Sequence, residues 1–161
     1  KKIGETRNVF VTRITKPKRE VMIKRGVKGE EYWDYSMEVG CDVWGILKSI
    51  TPEPVCMWLP DKYRKPGTSK YVQGVELPFD WNGKVMDGFE VVDMDESEYL
   101  MFQGEAFEEE NYEEAIKEVE RAMEKYDPSL IGARWNEDEP RIQLEPRGER
   151  GYIEYKAIKK A

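Results

Sequence analysis

"EVMIKRG", residues 20–26, and "EYLMFQG", residues 98–104, are one segment written twice. Glu opens each and Gly closes each, with residues of matching type at most places between. Before each lies another extended run, "VFVTRIT" (9–15) and "FEVVDMD" (89–95), set off by the polar segments "KPK" and "ESE". Each pair of runs reads as a β-hairpin or a bent strand. After each Gly comes a helical pattern. In "EEYWDYSMEVGCDVWGILKSI" (30–50), Val39, Val43, Ile46 and Ile50 make one apolar stripe, widened by Tyr35, Trp44 and Leu47. In "EEENYEEAIKEVERAMEKY" (108–126) the stripe is Tyr112, Ile116, Val119, Met123 and Tyr126. Glu108 to Glu110 suit the positive end of the second helix, and Pro52 and Pro128 stop the two helices.

Two short strands follow, each bracketed by Glu-Pro and Pro: "EPVCMWLP" (53–60) and "EPRIQLEP" (139–146). The last strands are "KYVQGVEL" (70–77) and "GYIEYKAI" (151–158), in which Tyr71 matches Tyr152 and Gln73 matches Glu154. The expected fold is α+β. It is a duplicated βαββ unit with pseudo-twofold symmetry, repeats at about 9–77 and 89–158, and two main helices on one side of antiparallel strands. The whole of 1–161 reads as a single domain. The join, "PFDWNGKVMDG" (78–88), holds a turn signal at Asn82-Gly83. It reads as an internal connection, because Phe79 and Trp81 want cover. The faces left bare by the helices, or the seam between the halves, would form a ligand groove.

A chain of 161 residues buries a core without staples. Its net charge of −7 argues against a nucleic-acid-binding surface and fits a solubility device. There is no His, which removes the commonest general base and zinc ligand and rules out a His-based triad. No metal or cofactor is expected. Cys41 and Cys56 lie outside any CxxC pattern and read as reduced, buried thiols. No apolar run is long enough for a transmembrane helix, so the expected location is cytoplasmic. The first residue is Lys1, so an upstream part of a longer protein is expected.

Glu154 interrupts a strand otherwise fit for burial, between Ile153 and Tyr155. Carboxylates are seldom buried without a partner. Either it lies in a pocket and pairs with a ligand cation, or it points to solvent or pairs with Arg150 or Lys156. Strand parity puts Tyr152, Glu154 and Lys156 on one face. The repeat gives Tyr71 and Gln73 the mirrored places. Trp33, Trp44 and Trp58 are candidate stacking walls, although a helical Trp is more often core. Tyr99 and Met101 alternate with Leu100 and Phe102, and one pair faces the cleft while the other faces the helix. Glu145 is a second inward-carboxylate candidate, with a surface place near Arg147 as its alternative. The cations of "KYRKPG" (62–67) make a weak anion site.

The segments "VGCDVWGIL", "CMWLPDKYRKPGTSKYVQGVELP", "EYLMFQGEAFEEENYEEAI", "RIQLEP" and "ERGYIEY" together resemble the GyrI-like small-molecule-binding family. That family also supplies the effector-binding domain of AraC-type and multidrug-sensing transcription regulators. The resemblance spans about residues 9–158. It implies a duplicated βαββ fold with a central groove for bulky, apolar, cationic aromatic compounds. It implies that an acidic residue on the last strand, here Glu154, meets the ligand's charge among aromatics. On this basis the ligand-binding set is Glu154, Tyr152, Tyr71, Gln73, Trp44, Trp58, Tyr99 and Met101. The chain is then a binding domain rather than an enzyme, with a small-molecule ligand as partner and a homodimer or a fused DNA-binding domain as further associations. These residues contain no helix-turn-helix pattern, so any DNA contact would come from elsewhere. The family also implies two alternatives: a gyrase-protecting protein-binding module, or a hydrolase of cyclopropane-bearing genotoxins in which Glu154 and Tyr152 would direct a water.

Overall fold

The computed structural model describes residues 8–161; Lys1 lies outside them. The first half supplies β1 (Val9–Lys16), β2 (Arg19–Arg25), α1 (Tyr32–Val39), α2 (Val43–Lys48), β3 (Val55–Trp58) and β4 (Tyr71–Glu76). The second supplies β5 (Glu90–Met94), β6 (Ser97–Gly104), α3 (Tyr112–Lys125), β7 (Ala133–Trp135), β8 (Arg141–Leu144) and β9 (Ile153–Lys160). The expected α+β class and duplicated order stand. All the ladders are antiparallel, in the order β1-β6-β9-β8-β3-β4-β2-β5, with the short β7 added to β9. This order reads the same from both ends once the halves are exchanged, and the pseudo-twofold axis passes between β3 and β8.

The first strands do not form hairpins with their neighbours in sequence. β1 pairs along its whole length with β6, from Val9↔Gly104 to Lys16↔Ser97. β5 pairs with β2, from Arg19↔Met94 to Ile23↔Glu90. Each half therefore hands its first strand to the other. Pro17 lies between β1 and β2, where a tight hairpin turn would need to form.

The Glu-Pro brackets are one residue out of structural register. Cys56 lies opposite Gln73, and Gln143 lies opposite Glu154. The repeat thus sets Cys56 against Gln143, whereas the brackets align Met57 with Gln143. A slip of one residue turns every side chain to the other face, so the brackets mark strand ends but not faces.

Both helical layers cover one face of the sheet. α3 buries Val119 and Met123 against Leu100, Phe102, Tyr152 and Ile158. α2 buries Val43 and Leu47 against Met22 and Val75. The helix expected over 30–50 is broken. α1 ends at Gly40, whose φ of 108° the L residues avoid, and the chain restarts at Asp42. The break leaves Cys41 exposed, contrary to expectation, while Cys56 is buried on β3. The opposite face folds over its own core of Val21, Ile23, Met57, Val72, Tyr99 and Ile142, with Ile14 of β1 and Val92 of β5 packed on it. Curvature brings the far strands together. Lys16 of β1 reaches Glu76 of β4 at 3.1 Å, although the two strands sit far apart in the sheet order.

The connection 78–88 turns at Phe79-Asp80 and Asp87-Gly88, not at Asn82-Gly83. Trp81 packs against the α2 cluster, but the Phe79 side chain is fully exposed.

Gly151 opens the last strand with φ +84°, and a Cβ there would lie 2.1 Å from the Gly104 carbonyl oxygen. Neither a left-handed L residue nor that overlap is tolerated without backbone movement. Gly151→Ala is expected to lower unfolding free energy by about 2–4 kcal/mol, measured by urea denaturation.

Candidate functional site

β9 carries Glu154, and Tyr152 lies just before it, both on the face covered by the helices. Glu154 lies opposite Phe102 on one side and Gln143 on the other. Its exposure is 0%, so it needs internal partners. The Arg141 Nε donates to Glu154 Oε1 at 2.5 Å, and the Tyr152 hydroxyl donates to Oε2 at 2.6 Å. Arg141 also donates through Nη2 to Glu120 Oε2 of α3 at 2.8 Å. Its guanidinium lies over the Trp58 ring, 4.5 Å from the centroid. Neither Arg150 nor Lys156 is the partner: Arg150 bonds Glu53, and Lys156 lies over Trp135.

Beside this cluster, and sharing Glu120 with it, a groove of about 610 Å³ runs between the two helical layers over β3 and β8. Tyr32 and Trp33 of α1, Trp44 of α2, and Tyr112 and Ile116 of α3 make its aromatic and apolar walls. Tyr32 and Trp33 meet edge to face at 5.0 Å. Trp33 is 67% exposed, an unusual state for Trp. Cys56 and Gln143 make part of the floor, and Glu31, Glu113, Glu120 and Glu145 outnumber Lys117 around it. Of the two places expected for a cleft, the seam between the halves is the one occupied by a groove. The sheet face bare of helices is closed by its own core.

The structure divides the eight residues singled out from the sequence. Trp44 lines the groove directly. Glu154, Tyr152, Tyr71 and Gln73 do not line it; they are buried on the strands that flank its floor, each 1% exposed or less. Tyr71 is wedged edge-on between Tyr35 and Trp58, at 5.2 and 5.3 Å. Its hydroxyl and Gln73 Nε2 have no partner in hydrogen-bond geometry among the described residues. Trp58 is turned aside: its Nε1 donates to the Glu30 carbonyl, and its ring borders a neighbouring cleft of about 320 Å³. Tyr99 and Met101 are not on this face. The pairing Phe102↔Glu154 places Leu100 and Phe102 with Glu154, so Tyr99 and Met101 pack in the core on the far side. Glu145 does border the groove, held by Lys48 at 3.3 Å and Arg147 at 3.1 Å.

Sequence reasoning missed Arg141, Glu120 and Gln143. Arg141 opens a strand whose charged ends looked like boundaries, and Glu120 belongs to a helix rich in acids. Only the helical spacing of Glu120 from Ile116, one turn on, hinted that it shares the inner edge of α3.

The electrostatics are those of a crowded carboxyl pair around one guanidinium. Burial, then hydrogen bonding with Glu154 and its charge, raise Glu120 from the ordinary 4.5 to about 7, against the pull of Arg141. Burial works against the Arg141 charge, but Glu154 and Glu120 outweigh it and hold its pKa above the usual value. Burial also lifts the Cys56 thiol to about 12, which leaves it unreactive at neutral pH.

The fold implied by the sequence resemblance, that of GyrI-like effector-binding domains, is the fold of this chain. The structure superposes on SAV2435 bound to tetraphenylphosphonium with a TM-score of 0.55 and 10% identity over 94% of each chain. A Staphylococcus aureus MU50 protein assigned to bacterial transcription regulation gives 0.57 and 12%, over 93% of this chain and 98% of that one. The EcmrR C-terminal domain gives 0.54 and 9%, over 98% and 100%; in the EcmrR–DNA complex the match spans 58% of the EcmrR chain. The sequence itself matches no family model and no curated protein. Among the described residues, no helix is long and apolar enough to cross a membrane.

A raised carboxyl pKa contributes stability that is present below the unfolded value and lost as pH climbs through the folded value. For Glu120 that window runs from about 4.5 to about 7. Comparing wild type with Glu120→Gln, the wild type is expected to lose about 1–2 kcal/mol relative to the variant between pH 5 and pH 8, after discounting for solvent screening at a partly exposed side chain. Thermal or urea unfolding of both proteins across that range measures it.

Proposed function

We propose that this chain binds bulky, apolar, cationic aromatic molecules in the groove between α1 and α3, as the ligand-sensing part of a transcription regulator. The observation that carries the reading is the pairing of aromatic walls with an inward carboxyl: Tyr32, Trp33, Trp44 and Tyr112 around Glu120, which is joined through Arg141 to the buried Glu154. Aromatic faces attract a cation by about 0.5–2 kcal/mol each. A carboxylate at the groove adds a charge-assisted contact of about 1–3 kcal/mol. Exposed aromatic faces and edges suit the phenyl rings of a bulky ligand.

The shared fold supports the same reading. SAV2435 has been seen with tetraphenylphosphonium, a bulky apolar cation, and the EcmrR C-terminal domain belongs to a protein seen on DNA. In such a regulator, a ligand acts by binding one conformation better than another, and the difference in affinity limits how far the balance moves. The groove lies between two helices from different halves, so an occupant touches both and biases their separation.

The test is a Trp-fluorescence titration with tetraphenylphosphonium and with a neutral analogue, tetraphenylmethane made soluble by a neutral polar tail. Micromolar binding of the cation is expected. Glu120→Gln and Glu154→Gln should each weaken it about 10-fold or more and change the neutral analogue less. Because Glu120 ionises near pH 7, cation affinity should rise roughly 10-fold from pH 6 to pH 8 in wild type and stay nearly level in Glu120→Gln. Equal losses for both ligands would remove the charge from the account.

A further inference from the structure

The place where a ligand cation would be held is filled by a side chain of the protein. Arg141 projects from the first residue of β8 into a clamp of two carboxylates and one indole. It has Glu154 at 2.5 Å, Glu120 at 2.8 Å and the Trp58 ring at 4.5 Å. That is the set of contacts a bound organic cation would be given: charge-assisted bonds on the flanks and a π face beneath. We propose that Arg141 is a tethered occupant of the cation position, and that external cations reach Glu154 only by displacing its guanidinium. The inference rests on the reading of the groove as a cation site.

Three observations support displacement rather than a permanent structural pair. First, Arg141 is not locked in the core: its side chain is 36% exposed, while its partner Glu154 is wholly buried. Second, it has somewhere to go. Arg141 borders the cleft of about 320 Å³ beyond Trp58, which is also bordered by Glu137. A guanidinium turned into that cleft keeps a carboxylate near it and stays wet. Third, the second carboxylate is unsettled. Burial and the neighbouring Glu154 raise the Glu120 carboxyl to about 7, so this arm of the clamp exchanges a proton near neutral pH and takes up a new cation by releasing it.

The pseudo-twofold relation sharpens the point. In the first half, the places of Tyr152 and Glu154 are held by Tyr71 and Gln73, beside Cys56. Among the described residues, no buried carboxylate and no paired cation take their place there. The tethered guanidinium occurs only where the buried carboxylate does, as expected of a counter-ion that guards the charge while the groove is empty. The device makes the site selective. A monocation must outbid an intramolecular guanidinium already in place, so only ligands that also fill the aromatic groove succeed, and small cations do not.

The experiment uses the full chain in three forms: wild type, Arg141→Lys and Arg141→Gln. Arg141→Lys keeps a charge for Glu154 but loses the two-carboxylate fork, so it guards the fold if Arg141→Gln does not survive. Tetraphenylphosphonium is titrated at pH 8, with methylguanidinium as competitor. Affinity is expected to rise in the order wild type, Lys, Gln, with at least a 10-fold span. Methylguanidinium should compete in the variants and not in wild type, and should raise the Tm of the variants selectively. A purely structural role for Arg141 would lower Tm without producing competition. Equal or weaker tetraphenylphosphonium binding in a folded Arg141→Lys, with no methylguanidinium effect, overturns the proposal while leaving the groove reading intact. Methylguanidinium binding to the variants without any tetraphenylphosphonium binding to any form upholds the cation position and defeats the groove reading instead.

Discussion

The exchange of first strands between the halves is the constraint on which the rest of the molecule depends. β1 closes the sheet beside β6, and β5 closes it beside β2, so each half is edged by a strand of the other. An exposed sheet edge is a liability, and here each half covers the other's. With both outer ladders made between halves, and β3 pairing β8 at the axis, the two halves of the sheet cannot part without breaking backbone hydrogen bonds. The groove therefore sits on a sheet shared by both halves, between helical layers held to it by side-chain packing. The core on the opposite face, drawn from seven or more strands, holds the curvature that sets its width.

On that scaffold the two halves have diverged in charge. The floor of the second half hides Glu154 with Tyr152, Arg141 and Glu120; that of the first half hides Gln73 with Tyr71 and Cys56. A buried carboxylate is costly, and it persists because a guanidinium and a phenol donate to both of its oxygens. The first half needs no such arrangement, and two of its polar atoms, the Tyr71 hydroxyl and Gln73 Nε2, have no partner in hydrogen-bond geometry among the described residues. An occupant of the groove thus meets a charged side and a neutral side, which gives a pseudo-symmetric pocket a direction.

Much of this was legible in the residues. The duplicated segments, the alternation that puts Tyr152 with Glu154, and the equivalence of Tyr71 and Gln73 with them all survive in the structure. What misled was local likeness. Pairs of extended runs looked like hairpins because nearness in sequence favours pairing, yet their partners lay in the other half. The Glu-Pro brackets matched to the residue but not to the face. The 30–50 helix had an unbroken stripe, yet Gly40 stopped it. Tyr99 and Met101 could be placed only by knowing which residue of β9 lay beside them.

The sequence by itself determined the order of strands and helices, their repetition, and which residues along any one strand share a face. These follow from periodicities of 2 and 3.6 residues, which are local properties of the chain. Only the tertiary structure decided which strand pairs with which, in what register, and so who neutralises Glu154. Arg141 and Glu120 reach that carboxylate from another strand and from a helix. A single-residue slip of β8 against β9 would have turned Arg141 to the other face.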